Sequence, residues 1–273
     1  MTKKNVISFM NMKGGVAKST LCANLAYTLA KDPQFNYKIL LIDMDPQFNL
    51  TSILIDEKEY FNTIYGKKDI SCIFEVKKPS AKEEIVIDKS NLIKEITENL
   101  HIIPGSFDLI AINNGEDTLY NLRSFIEDNH LRDEYDFIFI DCPPSLGMLT
   151  INSLTAVDSV LIPIQCEYYA LEGVSQLMGT IKLVKSRLNP NLDIQGVVLS
   201  MFDGRANLSI QVVDEVKRYF KGSVYTTLIP RNVRLAEAPS HGKPVIYYDS
   251  KCKGAVAYME LAEEFIDLEE DII

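Results

Sequence analysis

Short apolar runs rich in β-branched residues alternate along this chain with stretches whose apolar positions recur every three or four residues. The first pattern predicts strands at 6–11, 39–43, 100–104, 137–141, 159–163, 196–201 and 226–229. The second predicts helices at 19–30, 171–187, 209–220 and 254–268, the last placing Ala257, Leu261, Ala262 and Phe265 on one side. Continuous apolar strands separated by helices predict an α/β fold: one mostly parallel, twisted sheet of about seven or eight strands with helices on both faces. Residues 60–99 mix lysine and glutamate with short apolar patches and carry no chemical motif, so irregular helices are expected there. No repeat, low-complexity tract or Pro/Gly-rich linker divides the 273 residues, which favours a single domain over 1–273.

Composition narrows the class. An apolar share of 47% supports a substantial core. No run reaches the ~18 consecutive apolar residues of a membrane span, and the first residues lack signal-peptide architecture, so a cytoplasmic protein is expected. The cysteines at 22, 72, 142, 166 and 252 lack paired spacing, and His101, His130 and His241 lie far apart, so neither disulfides nor a histidine-held metal is expected. The formal charge of −10 hides an asymmetry. Between positions 205 and 253 nine Lys/Arg face four Asp/Glu, whereas positions 260–273 hold seven acids and no base. A basic band on an acidic body suits local contact with a polyanion such as DNA.

The chemistry is concentrated at strand ends. The first strand runs into Lys13-Gly14-Gly15-Val16-Ala17-Lys18-Ser19-Thr20 and then a helix. Strand, glycine loop and helix start converge backbone N–H groups and a positive helix end on one anion. Lys18 is placed to reach the β- and γ-phosphates of a nucleotide and Ser19 to ligate Mg²⁺. Ala17 stands where the usual GxxxxGK[ST] loop has glycine, and is expected to fit with negative φ. The second strand ends in Asp43-Met44-Asp45-Pro46-Gln47, where alternation aims both acids to one side and Pro46 turns the chain at the sheet edge. The apolar run 137–141 closes on Asp141, in position to hold a Mg²⁺-bound water.

The sequence KGGxxK[ST] resembles the deviant Walker A of the ParA/MinD class of P-loop ATPases. Further segments resemble the ParA/Soj family of DNA-segregation ATPases in particular: Asp141-Cys142-Pro143-Pro144, Gln165-Cys166-Glu167-Tyr168-Tyr169-Ala170-Leu171-Glu172-Gly173, and Ile229-Pro230-Arg231-Asn232-Val233-Arg234-Leu235-Ala236-Glu237-Ala238-Pro239-Ser240-His241-Gly242-Lys243-Pro244. The likeness covers nearly the whole chain except 60–99. It implies a single-domain P-loop NTPase that binds ATP and Mg²⁺ and closes into a homodimer, with Lys13 crossing to the partner's nucleotide. It assigns Asp45 to the attacking water and Asp43 to Mg²⁺ hydration or the loop. It places adenine near Met201, Pro230 and Asn232. It also implies that the ATP-bound dimer binds double-stranded DNA non-specifically, at the nucleoid, and that a ParB-type centromere-binding protein stimulates hydrolysis. No arginine lies in the three phosphate-site motifs, so basal turnover is expected to be slow.

Arg205 and Arg234 match DNA-contacting positions of Soj-like proteins, and Lys217, Arg218 and Lys221 extend the basic band beyond them. A MinD-like membrane-positioning ATPase is the alternative. It calls for a basic amphipathic C-terminal helix, which the acidic stretch 260–273 does not supply. An iron–sulfur scaffold calls for bridging cysteine pairs that the spacing does not provide. With ten residues before Asn11, an operator-reading N-terminal helix-turn-helix is not expected.

Overall fold

In the computed structural model, which describes residues 5–74, 89–112 and 118–270, eight strands form one sheet. They are β1 (Val6–Phe9), β2 (Ile39–Asp43), β3 (Lys94–Thr97), β4 (Leu100–Ile103), β5 (Phe137–Asp141), β6 (Ser159–Gln165), β7 (Asp193–Phe202) and β8 (Val224–Pro230). Their spatial order is β3-β4-β2-β5-β1-β6-β7-β8. Only β3 runs antiparallel to its neighbour.

Alternation along each strand divides the core in two. Val6, Leu40, Ile42, Ile138, Ile140, Val160 and Ile162 pack with helices Asn121–Asp128, Met148–Ala156, Val174–Arg187 and Asn207–Phe220 on one face. Ile7, Phe9, Ile39, Leu41, Phe137, Phe139 and Leu161 pack with helices Lys18–Lys31, Asn49–Leu54 and Lys253–Glu270 on the other. Every side chain of β1, β2, β5 and β6 is buried, which is why these strands read as nearly continuous apolar runs.

The α/β single-sheet expectation holds, with adjusted boundaries. β1 ends at Phe9 because the residues beyond it form the phosphate loop, and β7 and β8 are longer than their apolar segments. The strand β3 lies in the stretch read as irregular helix. It is a charged edge strand whose pairing with β4 shifts register between Glu95 and Thr97, devices that discourage pairing with another chain. Elsewhere in 60–99 a π-helical turn spans Tyr60–Ile64 and short helices span Ser71–Phe74 and Lys89–Leu92; positions 75–88 lie outside the described residues. The helices Asn49–Leu54, Asn121–Asp128, Met148–Ala156 and Val233–Ser240 were not foreseen, being short.

Parallel pairing lines up the carboxyl ends of the central strands. Asp43 lies in register with Asp141, and Asp141 with Phe9, the last residue of β1. The three chemical motifs therefore meet at one sheet edge, where open α/β sheets bind ligands.

Candidate nucleotide site

The phosphate loop is fixed from both sides before any ligand arrives. Asn11 donates its amide to the Pro163 carbonyl at 2.7 Å and accepts the Lys13 N–H at 2.9 Å, anchoring the loop's start to β6. Gln165, at the end of β6, donates to the Gly15 carbonyl at 2.7 Å and to the Met201 sulfur at 3.0 Å. Ser200, near the end of β7, lies 3.4 Å from the Val16 carbonyl. With the Gly15 and Val16 carbonyls bonded to Gln165 and Ser200, the loop N–H groups after Lys13 are the donors on offer to an anion.

Gly15 has φ 76 and Ala17 has φ 64, ψ 32. The expectation of negative φ at Ala17 is therefore wrong. Left-handed residues alternating with right-handed ones curl successive N–H groups into a concave anion nest, and Ala17 is the last such turn before helix Lys18–Lys31. The methyl group is tolerated at a conformational cost that glycine would not carry.

Inside the nest Lys18 is buried, only 7% exposed. Asp141 is fully buried, and neither of its carboxylate oxygens meets hydrogen-bond geometry with another group. Burial and the charge of Asp43 push its pKa well above the usual carboxylate range, while the Ser19 hydroxyl and Lys18 ammonium oppose the shift. A desolvated carboxyl flanked by a serine hydroxyl and an ammonium fits a cation and its water shell. Among the described residues no group of three or more His, Cys, Asp or Glu forms an all-protein metal cage. Mg²⁺ shared with phosphates does not need one.

The two acids of the second motif divide their work. Asp43 accepts from the Thr51 hydroxyl at 2.7 Å, the Thr51 N–H at 2.9 Å and the Asp45 N–H at 3.1 Å. Burial raises its pKa to about 7 against those hydrogen bonds. Its acceptors are thus turned to the protein, in keeping with support of the loop. Asp45 faces a cavity of about 760 Å³ together with Gly14, Gly15, Lys18, Ser19 and Thr20. One of its oxygens also accepts the Gln47 N–H at 2.9 Å.

The same cavity extends to Met201, Pro230 and Asn232, so the positions expected around the base do gather opposite the phosphate loop. Arg231, in the same turn as Pro230 and Asn232, borders it as well, although none of the three phosphate-site motifs contains an arginine. Lys13 and Val16 do not line it. Val16 is buried beneath the loop, and Lys13 lies to the side, its ammonium 3.8 Å from Glu167, which also accepts from Arg231 at 3.2 Å.

The cationic residues fall into two groups. Arg205, whose side chain is 92% exposed, pairs with Asp203 in the turn after β7 and holds that carboxyl down at about 2. Arg234 lies in the helix after β8 and pairs with Glu237 at 2.8 Å and Asp249 at 3.4 Å. Both stand at the nucleotide edge of the sheet. Lys217, Arg218 and Lys221 are exposed at the far end of helix Asn207–Phe220, about 20 Å away along its axis. The structure does not bring the two groups together.

Asn11, Gln165, Ser200 and Thr51 were missed as site residues, although a polar residue closing a buried strand, as Gln165 does, is the signal that marked Asp141. Comparison with known proteins agrees with this geometry. The family described as AAA domain matches residues 4–194. The sporulation initiation inhibitor protein Soj of Bacillus subtilis is 47% identical over 268 residues, covering 95% of this chain and 97% of its own. The chromosome partitioning protein ParA of Myxococcus xanthus is 44% identical, covering 97% and 89%. Cobyrinic acid a,c-diamide synthase from Mycobacterium smegmatis, solved with a bound ATP analogue and magnesium, superposes with a TM-score of 0.79 at 28% identity over 99% of this chain and 98% of that one. With the phosphate loop, the paired strand-end acids and this full-length likeness in place, the chain belongs to the ParA/Soj family of P-loop ATPases.

Proposed function

We propose that this protein is a partitioning ATPase that uses Mg-ATP to close into a homodimer, binds double-stranded DNA non-specifically in that state, and lets go on hydrolysis stimulated by a ParB-type partner. The observation that carries the reading is the fully buried Asp141 carboxyl, flanked by Ser19 and Lys18, which themselves line the nucleotide-sized cavity.

In this reading the loop N–H groups from Gly14 to Thr20 and the Lys18 ammonium hold the phosphates. Ser19 and Asp141 hold Mg²⁺, with Asp43 keeping the neighbouring turn in place; the ion supplies neutralisation of charge on the β- and γ-phosphates. Asp45 orients the attacking water from across the cavity. Met201, Pro230 and Asn232 enclose adenine. Lys13 exchanges its contact with Glu167 for the partner subunit's nucleotide, so binding and dimer closure are linked. The Arg231 guanidinium is tied to Glu167, and slow basal hydrolysis follows if no arginine reaches the transferred phosphoryl group. A partner then has up to about 10³- to 10⁵-fold in rate to supply.

DNA contact falls first to Arg205 and Arg234, at the same edge as the nucleotide. Lys217, Arg218 and Lys221 extend the footprint along helix Asn207–Phe220. With so few cations, a monomer binds no tighter than about 10⁻⁴ to 10⁻⁶ M at physiological salt, and dimerisation supplies retention.

Three measurements test this. Lys18→Ala should abolish ATP binding, and normal affinity would remove the phosphate assignment. Asp45→Ala should bind ATP and accumulate a non-hydrolysing dimer, whereas wild-type turnover would free Asp45 from the mechanism. Co-sedimentation with duplex DNA should depend on ATP over ADP and show no matching retention on anionic liposomes; the reverse pattern would favour membrane positioning.

A further inference from the structure

The turn that carries Asp45 ends in a residue whose backbone is unusual. Phe48 sits at φ 40, ψ 40, in the left-handed region that a bulky side chain seldom adopts. Its N–H donates to the Asp45 carbonyl at 2.8 Å, and between them the Gln47 N–H donates to the Asp45 carboxylate at 2.9 Å. The direction of that carboxylate is thus tied to the conformation at Phe48.

The ring at position 48 is clamped. It stacks on Tyr60 at 4.9 Å between centroids, meets Phe107 edge-on at 4.5 Å, and lies 6.4 Å from Phe61. Behind it a chain of hydrogen bonds returns to the acids. Tyr60 donates its hydroxyl to the Gly105 carbonyl at 2.8 Å, the Gly105 N–H donates to the Thr51 hydroxyl at 2.8 Å, and that hydroxyl donates to Asp43 at 2.7 Å. A β-carbon on Gly105 would stand 2.9 Å from both the Asp43 carboxyl carbon and the Phe48 β-carbon. The bare glycine is what lets carboxylate and ring lie side by side.

Burial alone does not account for this arrangement. Phe48 is only partly buried, and its neighbours Phe61 and Phe107 are 46% and 39% exposed. Glycine or asparagine would make the same left-handed turn at lower conformational cost, so the ring is what the turn gains from phenylalanine.

We propose that Phe48 is a positioning residue for Asp45: its ring, gripped by Tyr60 and Phe107, locks the left-handed turn that aims the Asp45 carboxylate into the nucleotide cavity. The proposal rests on the reading of Asp45 as the group that orients the attacking water. It also gives the motif-poor segment around Tyr60 a task, since that segment supplies one jaw of the clamp.

The test compares Phe48→Gly, which suits the turn but lacks the ring, Phe48→Ala, which keeps the strained backbone without the ring, and Phe48→Tyr, which keeps the ring. Steady-state Mg-ATP turnover gives kcat and KM, calorimetry with a non-hydrolysable ATP analogue gives affinity, and thermal unfolding checks the fold. Phe48→Gly and Phe48→Ala should lower kcat by roughly ten- to a hundredfold with KM and analogue affinity within about twofold, while Phe48→Tyr stays near wild type. Should Phe48→Ala fail to fold, Phe48→Gly decides. Turnover in Phe48→Gly within about twofold of wild type, a compensating change confined to KM, or an equal loss in Phe48→Tyr would overturn the proposal. Asp45→Ala is measured alongside. If it loses turnover while Phe48→Gly does not, only the role of Phe48 falls; if it retains turnover, the role of Asp45 falls and takes the positioning of Asp45 with it.

Discussion

Adding one methyl group at Gly105 should damage the protein measurably, and the structure sets the size of the effect. An alanine β-carbon there would lie 2.9 Å from the Asp43 carboxyl carbon, 3.0 Å from an Asp43 oxygen and 2.9 Å from the Phe48 β-carbon. Relief requires one neighbour to move by several tenths of an ångström. Asp43 is held by three hydrogen bonds and is fully buried, and Phe48 is wedged between Tyr60 and Phe107. Neither is the free end of a flexible chain, so the substitution behaves as overpacking of a close-packed interior, costing about 1 to 3 kcal/mol. For a domain of this size each kcal/mol lowers Tm by roughly 2 °C, so Gly105→Ala should melt about 2 to 6 °C below wild type. Whichever neighbour yields, Thr51 or the turn after Asp45 is displaced with it, so ATP turnover should fall even at temperatures where the variant is folded. Thermal unfolding monitored by circular dichroism, paired with phosphate release at 20 to 25 °C, reads both effects. Unchanged melting would mean that Asp43 and Phe48 have slack, and a lower Tm with full turnover would separate this packing from the chemistry.

Ala17→Gly should raise stability slightly: relief of the left-handed alanine is worth about 1 to 2 kcal/mol, against roughly 0.4 to 1 kcal/mol for the greater freedom of the unfolded chain. A lower Tm in that variant would show that the methyl group makes a contact worth more than the strain. Gln165→Leu removes the donor to the Gly15 carbonyl and should weaken ATP-analogue binding about fivefold in calorimetry, the worth of roughly 1 kcal/mol for one hydrogen bond; equal affinity would mean the loop holds its shape without β6. Arg234→Ala should reduce the slope of log DNA affinity against log salt by about 1 for each phosphate that the arginine neutralises, with ATP turnover unchanged, whereas an unchanged slope would send the DNA surface towards Lys217, Arg218 and Lys221.

Most of the sheet was legible because its strands are buried on both faces. Strands such as Phe137–Asp141 announce themselves as short apolar runs, and the turn at Pro46 marks where one of them must end. The antiparallel strand Lys94–Thr97 was not legible for the complementary reason. An edge strand with one neighbour has little to bury, so lysine, glutamate and threonine serve it well and no period-two apolar signal survives. The short helices failed to register because one or two turns cannot build a periodic stripe: Asn49–Leu54 is held by the Asp43–Thr51 bonds, a link across eight residues that no local pattern reveals.

The site divides along the same line. Residues that would face the nucleotide follow from chemistry: a phosphate loop needs Lys18 and Ser19, and acids at strand ends are visible in any reading. Residues that hold those groups in place depend on which strands become neighbours. Gln165 matters because β6 lies beside β1 and β7, so one side chain spans from the Gly15 carbonyl to Met201 and links the phosphate end of the cavity to the end assigned to the base. Ala17 shows the same dependence in the backbone. Its side chain allowed negative φ, but the loop's path from β1 into the buried helix Lys18–Lys31 demands a left-handed turn at that point, and the packing of that helix imposes it. Sequence thus specifies the reactive groups one at a time, while the sheet order specifies how tightly each is aimed.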